Sequence, residues 1–193
     1  MREPRRLHRY TYADYVALEM VSADKHEFFD GEIYAMAGGS EEHSALAAAM
    51  VRILGNAAGD GPCRVHTSDL RIYVESAGLA TFPDASVICG PLRQHDPSPR
   101  ATALNPAILV EVTSDSSEAY DHGAKLEHYR TIPTLRDYVI VSHRERRISV
   151  HSRTATGEWL TRTAVASGLG GCWTSGPQMT EPSGNVARPV AST

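Results

Sequence analysis

The sequence predicts a single α/β domain, on two observations. Runs with helical periodicity alternate with β-prone apolar runs, and residues 107–141 read strand, helix, strand, the pattern of a β-α-β unit. At 193 residues the chain is long enough to bury one real core. With 41% hydrophobic and 22% charged residues it falls outside the disordered and collagenous classes. No run approaches the roughly 18 apolar residues of a membrane helix, so a membrane protein is excluded. The domain is expected over residues 1–178.

Thr11-Tyr-Ala-Asp14 has the form of a capping box, and Tyr15, Leu18 and Glu19 follow at helical spacing, which predicts a short helix over about 12–20. Residues 25–38 read as a hairpin, because Asp30-Gly31 is a two-residue turn signal between two β-prone runs. Ser40 then caps a helix with Glu41 and Glu42 in its first turn, where the helix dipole favours acids, an apolar body and a stop at Gly55. Strands are expected over 63–75, 80–89 and 107–113, with polar, exposed loops at 59–62 and 90–106. Asp115-Ser-Ser-Glu118 opens a second helix over about 116–131, and Arg136-Asp-Tyr-Val-Ile-Val returns as a strand. Residues 143–147 form a hairpin tip, with strands following near 147–153 and 158–163. Beyond Gly176 the composition turns to Pro, Ser and Gly, so a flexible tail is expected over 179–193.

Charge is unevenly placed: residues 1–10 sum to +3, residues 11–50 to −7, and the whole chain to −4 with a pI near 6.1. An acidic total speaks against tight, sequence-independent phosphate binding, which rests on Lys and Arg, and leaves metal-dependent binding open. Only Lys25 and Lys125 are lysines among the 19 basic residues, which singles each of them out. The basic N-terminus runs into Tyr10-Thr-Tyr-Ala-Asp14 rather than an apolar stretch, so it is not read as a secretory signal and a cytoplasmic location is expected. Cys63, Cys89 and Cys172 are isolated and odd in number, so reduced, buried thiols are expected.

Two carboxylates carry the chemistry. Asp84 and Glu111 each lie in an apolar run read as a strand, and burying them requires a cation, a charged partner or strong donors. Strand alternation sets Leu109, Glu111 and Thr113 on one face, opposite Ile108, Val110 and Val112. If the two strands are neighbours, Asp84 and Glu111 converge on an oxygen-lined point suited to Mg²⁺ or Mn²⁺. Lys125 lies on the following helix, with Asp121 and Tyr129 at i−4 and i+4, and can be laid over the end of that strand. An ammonium beside a metal-activated water is the equipment of phosphodiester hydrolysis.

Pro83-Asp84, Glu111-Val-Thr, Tyr120-Asp-His-Gly-Ala-Lys125-Leu-Glu-His-Tyr129 and Arg136-Asp-Tyr-Val-Ile-Val resemble the Uma-two family of the PD-(D/E)XK, restriction-endonuclease-like superfamily. The upstream run Glu27-Phe-Phe-Asp-Gly-Glu32-Ile-Tyr-Ala-Met36, followed by His43, is similar too, and the match spans roughly residues 10–175. The resemblance implies a restriction-endonuclease-like core with a mixed sheet flanked by helices, and a divalent-metal endonuclease acting on DNA, double-stranded by expectation, often as a homodimer. It carries a metal-ligand role to Asp84 and Glu111 and peripheral roles to Glu27 and His43, and Lys125 matches the family's helix lysine; Asp84, Glu111 and Lys125 are the catalytic candidates, with Thr113 and Tyr129 as further peripheral ones. Where the E-x-K motif places lysine, this chain has Thr113, which makes Lys125 a candidate replacement.

Plainer readings stand beside these. Asp84 after Pro83 also reads as a strand-edge turn residue, Glu111 as one half of a buried Glu–Arg pair, and Lys125 as an ordinary partner of Asp121. Glu27, Glu32 and His43 also fit solvent-facing positions, Tyr129 a packing position, and the Arg144-Glu-Arg-Arg147 cluster a solvated hairpin tip. A catalytically silent nucleic-acid- or protein-binding domain of the same fold is the alternative function. No helix-turn-helix or zinc finger is present to read bases, so recognition would fall to loops such as 90–106.

Overall fold

The structure, a computed structural model, describes residues 9–36, 38–95 and 102–166. The expected tail and Cys172 lie outside these residues. Among the described residues, eleven strands and four helices are arranged as two sheets with helices against them.

Helix α1 (Tyr12–Val21) starts on the expected capping box: Asp14 N donates to the Thr11 hydroxyl, and Thr11 N donates back to the Asp14 carboxylate. Strands β1 (His26–Phe29) and β2 (Glu32–Ala35) form the hairpin, with Asp30 and Gly31 at φ of 45° and 84°, the left-handed values that an Asp-Gly turn supplies. Helix α2 (Glu41–Ala58) begins on Ser40 but runs through Gly55, and Gly59, at φ 50°, lies at its end instead.

The next three segments correct the sequence reading in the same way. The run 63–75 divides into β3 (Cys63–Thr67) and β4 (Arg71–Val74) at a turn closed by Leu70 N on Thr67 O. The run 80–89 divides into β5 (Leu79–Thr81) and β6 (Ala85–Cys89), because at Phe82-Pro83-Asp84 the chain leaves one sheet and enters the other. The region 90–106 is not wholly an exposed loop: β7 (Thr102–Ala103) is buried and pairs in parallel with β4. Strand β8 (Pro106–Val112) follows as expected. The helix expected over 116–131 breaks into α3 (Glu118–His122) and α4 (Ala124–Arg130) at Gly123, where a Cβ would stand 2.9 Å from Ala119 O. Strands β9 (Asp137–Val141), β10 (Arg147–Arg153) and β11 (Trp159–Val165) complete the order.

The first sheet runs β2-β1-β5-β4-β7 and the second β11-β10-β9-β8-β6-β3. In the second, β8 and β9 are parallel, joined by α3 and α4 as the expected β-α-β unit, while β6 is antiparallel to β8. Alternation along β8 works as read from the sequence. Leu109 packs in a core with Leu126, Tyr129, Ile140 and residues of the first sheet, and Val110 and Val112 pack on the other side with residues of α2. Cys63 and Cys89 are bonded to each other, correcting the expectation of reduced thiols. They are direct cross-strand partners in the β3–β6 ladder, a pairing that their 26-residue separation does not reveal.

Candidate active site

The site forms where the two sheets meet the helical crossover. Asp84 immediately precedes β6 rather than lying within a strand, because Pro83 has no N–H to continue a ladder and the chain is changing sheets there. Its position is one step beyond the Ala85–Val110 pair, which sets it opposite Glu111 on neighbouring antiparallel strands. Its Oδ2 accepts from Val112 N at 2.7 Å, tying the two strands together, and stands 3.3 Å from His43 Nε2. His43 arrives in the first turn of α2, where its N–H caps on the Ser40 hydroxyl. A Cβ at position 39 would come within 2.7 Å of the His43 ring, so Gly39 is what lets the imidazole lie there. The hydrogen bond to Asp84, against the opposing effect of burial, holds the His43 pKa above its ordinary value.

Glu111 faces the α3/α4 side, with its side chain 7% exposed. Its Oε1 accepts from Tyr129 OH at 2.8 Å and lies 2.9 Å from Lys125 Nζ. Burial pushes its carboxyl up to about 8 against the pull of Lys125, and Asp121 and Asp84 push in the same direction as burial. Lys125 also reaches Glu27 Oε1 at 3.1 Å and stands 3.7 Å from Asp121 Oδ1. Burial alone would lower the lysine pKa; Glu111, Glu27 and Asp121 outweigh it and hold the ammonium well above its usual range. Asp121 is itself buried and its pKa raised by that burial, against the pull of Lys125. The break at Gly123 leaves Asp121, Lys125 and Tyr129 all buried, on the one face their spacing predicts.

Glu27 is not a solvent-facing hairpin residue. It crosses from β1 to Lys125 and accepts a short hydrogen bond from the Thr81 hydroxyl of β5. Glu32, by contrast, is exposed and accepts from its neighbour Tyr34. Thr113, at the E-x-K lysine position, is fully buried, and its hydroxyl lies 2.9 Å from His143 Nδ1. His143 Nε2 in turn is 2.8 Å from Asp115, to which Arg144 is also bonded. No reading of the sequence had placed His143 or Thr81 here, since neither stands in a recognisable spacing with the carboxylates. Tyr120 is a further neighbour, its ring 5.7 Å from the Lys125 ammonium and its hydroxyl pushed up to about 12 by burial.

The arrangement gathers four carboxylates, Glu27, Asp84, Glu111 and Asp121, around one lysine and one histidine. Their oxygens are the donors a hard divalent cation takes, and the raised pKa values of Glu111 and Asp121 are what a bound cation would lower again. Among the described residues no group of three or more His, Cys, Asp or Glu side chains is placed to hold a metal ion, so an ion would have at most Asp84 and Glu111 as protein ligands and would take the rest of its shell from water and substrate oxygens.

This mixed α/β arrangement, two sheets with helices against them and a β-α-β crossover, is a restriction-endonuclease-like fold. The family model described as "Putative restriction endonuclease" (Uma2) matches residues 12–172, and the chain belongs to that family. Two uncharacterized proteins of Synechocystis are similar: one is 37% identical over 154 residues, 80% of each chain, and the other 31% identical over 150 residues, 78% of this chain and 84% of the relative. Among solved structures, a crystal structure from Anabaena variabilis, described as a putative nuclease belonging to DUF820, superposes with a TM-score of 0.61 over 79% of this chain and 84% of that one. At 15% identity that likeness concerns the fold. No helix among the described residues is long and apolar enough to cross a membrane.

Proposed function

We propose that this chain is a divalent-metal-dependent endonuclease that hydrolyses DNA phosphodiester bonds. The observation that carries the reading is that Glu111 lies 2.9 Å from Lys125, while Asp84, one register step beyond the Ala85–Val110 pair, falls opposite Glu111 on the neighbouring strand and acts on it electrostatically. Asp84 and Glu111 would hold Mg²⁺ or Mn²⁺. When bound, that ion supplies Lewis-acid polarisation of the phosphate and a lowered pKa for the attacking water.

This chain's own residues supply the rest. Val112 N fixes Asp84, and Tyr129 OH fixes Glu111, so both carboxylates are oriented before any substrate arrives. Lys125 is the hydrogen-bond donor that orients the attacking water and offsets charge on the phosphate; it takes the place of the lysine missing at Thr113. The oxygen of water bonds to phosphorus, the bond to the leaving oxygen breaks, and a proton passes to that oxygen. Double-stranded DNA as substrate, a homodimer and a cytoplasmic location rest on the family resemblance and the sequence.

A second reading, a catalytically silent binding domain, is favoured by the Thr113 hydroxyl being occupied by His143. Incubation of supercoiled plasmid with the purified protein and Mg²⁺, Mn²⁺ or EDTA separates the two. Nicking or linearisation that needs metal and is lost in Glu111→Ala and Lys125→Ala supports the nuclease. Salt-sensitive DNA binding without cleavage in either metal supports the silent domain.

A further inference from the structure

Asp121 is a buried carboxylate that the mechanism above leaves unused. Its Oδ1 is inaccessible and accepts no hydrogen bond, although Lys125 Nζ stands 3.7 Å away. The backbone holding it is fixed on both sides, since Asp121 N donates to Ser117 O at 2.8 Å and Tyr138 OH donates to Asp121 O at 3.2 Å. An acceptor is therefore held ready beside an ammonium that is bonded elsewhere. Hydrogen bonds of this type close at 2.7–3.2 Å, so a shift of about 0.5–1 Å by the lysine would complete one.

Glu111 shows what would drive the shift. Its Oε1 is shared by Lys125 and Tyr129, so a divalent ion that draws on this carboxylate weakens its hold on the ammonium. An ammonium displaced inside a buried site cannot be left without acceptors. Glu27 keeps one of its bonds, and Asp121 offers the replacement for the one lost. Building on the metal-nuclease reading, we infer that Asp121 is a positioning residue: it receives the Lys125 ammonium when Glu111 turns to the cation, and so lets metal and lysine occupy the site together.

The test is a double-mutant cycle on Mn²⁺ affinity, measured calorimetrically with the full chain and no DNA. Asp121→Asn is expected to weaken Mn²⁺ binding about ten-fold, within the range of ordinary site coupling. In a Lys125→Met background, where there is no ammonium to receive, the same substitution is expected to change it less than about two-fold. Equal weakening in both backgrounds would overturn the inference, because Asp121 would then be acting on the metal directly; no weakening in the wild-type background would overturn it too. A wild-type chain that binds no Mn²⁺ would overturn the metal-nuclease reading itself, and with it this inference.

Lys125→Met leaves three carboxylates without their cation, so a second readout uses the lysine. The chain contains two lysines, so ¹⁵N-lysine labelling gives two ammonium signals, and Lys25→Arg assigns them. At saturating Mg²⁺ the Lys125 signal is expected to move yet persist in the wild type, and to be lost to solvent exchange in Asp121→Asn. Persistence in both proteins would overturn the inference.

Discussion

Two clusters of buried charge lie in this molecule, and they are built to opposite ends. At the sheet junction, Lys125 is set among Glu27, Glu111 and Asp121, with Asp84 beside them. Beneath α1, Arg71 is set among Tyr12, Tyr15 and Thr102; the nearby carboxylate, Glu19, is engaged with His26. Both cations face aromatic rings, Lys125 that of Tyr120 at 5.7 Å and Arg71 that of Tyr15 at 5.3 Å. Arg71 and Glu19 are 1% and 0% exposed, whereas the side chains of Asp84 and Glu27 remain 14% and 18% exposed. The Arg71 cluster has one basic and one acidic side chain, both fully buried; the Lys125 cluster crowds four carboxyl groups beside one ammonium and stays partly open. Buried charge alone therefore does not mark a site. Carboxyl groups crowded where a ligand can reach them do, because the cost of ionising them is recovered when a cation binds.

The sharpest way to break this comparison is Glu111→Ala. Plasmid cleavage is expected to fall about a hundred- to a thousand-fold while the fold survives. The complementary substitution, Arg71→Met, is expected to leave cleavage by the folded protein unchanged and to lower stability by about 3 kcal/mol, read by urea unfolding. If Arg71→Met abolished cleavage without loss of stability, the division between the two clusters would be wrong.

The pH dependence sharpens the contrast. Burial raises the Glu111 carboxyl from 4.5 in the free side chain to about 8. The folded state therefore holds this proton more tightly than the unfolded state, and the associated stability is present below about pH 4.5 and lost as pH rises through 8. Metal-free protein is expected to lose stability across that window, and Glu111→Gln to remove that slope in urea titrations. Binding of Mn²⁺ should then release a proton below pH 8, detectable as a dependence of binding heat on buffer.

The smallest expected effect lies away from both clusters. His151 is buried, with its Nδ1 on the Thr161 hydroxyl, its Nε2 unpartnered, and its ring stacked at 6.0 Å on Tyr138. Burial, with Arg130 and His122 adding to it, lowers its pKa below 6.5. A depressed histidine stabilises the fold above the unfolded pKa and loses that contribution as pH falls through the folded one. Wild type should therefore weaken more steeply below pH 6.5 than His151→Phe, measured by thermal unfolding.

The Asp30-Gly31 hairpin, the capping box at Thr11 and the alternation along β8 follow from neighbours within a few residues, and all three were legible. Errors cluster where a local pattern was continued too far. The runs 63–75 and 80–89 keep β-prone composition across turns, which hides the passage between sheets at Pro83-Asp84, and Gly55 reads as a stop although the helix runs on to Ala58. The lysine at 125 was legible from its spacing to Asp121 and Tyr129 together with the family resemblance.

Residue type and spacing already specify the inventory: acidic residues in and beside apolar strands, a scarce lysine on the crossover helix, and the face on which Glu111 lies. Those depend on residue type and on periods of two and about four, which local backbone geometry enforces. The company these residues keep comes from the assembled fold. Glu27 meets Lys125 across 98 residues, Asp84 meets Val112 N across 28, and Cys63 meets Cys89 across 26. Strand order and register set those contacts, and they arise from burying both faces of β8 at once, a condition on the whole chain that no local pattern carries.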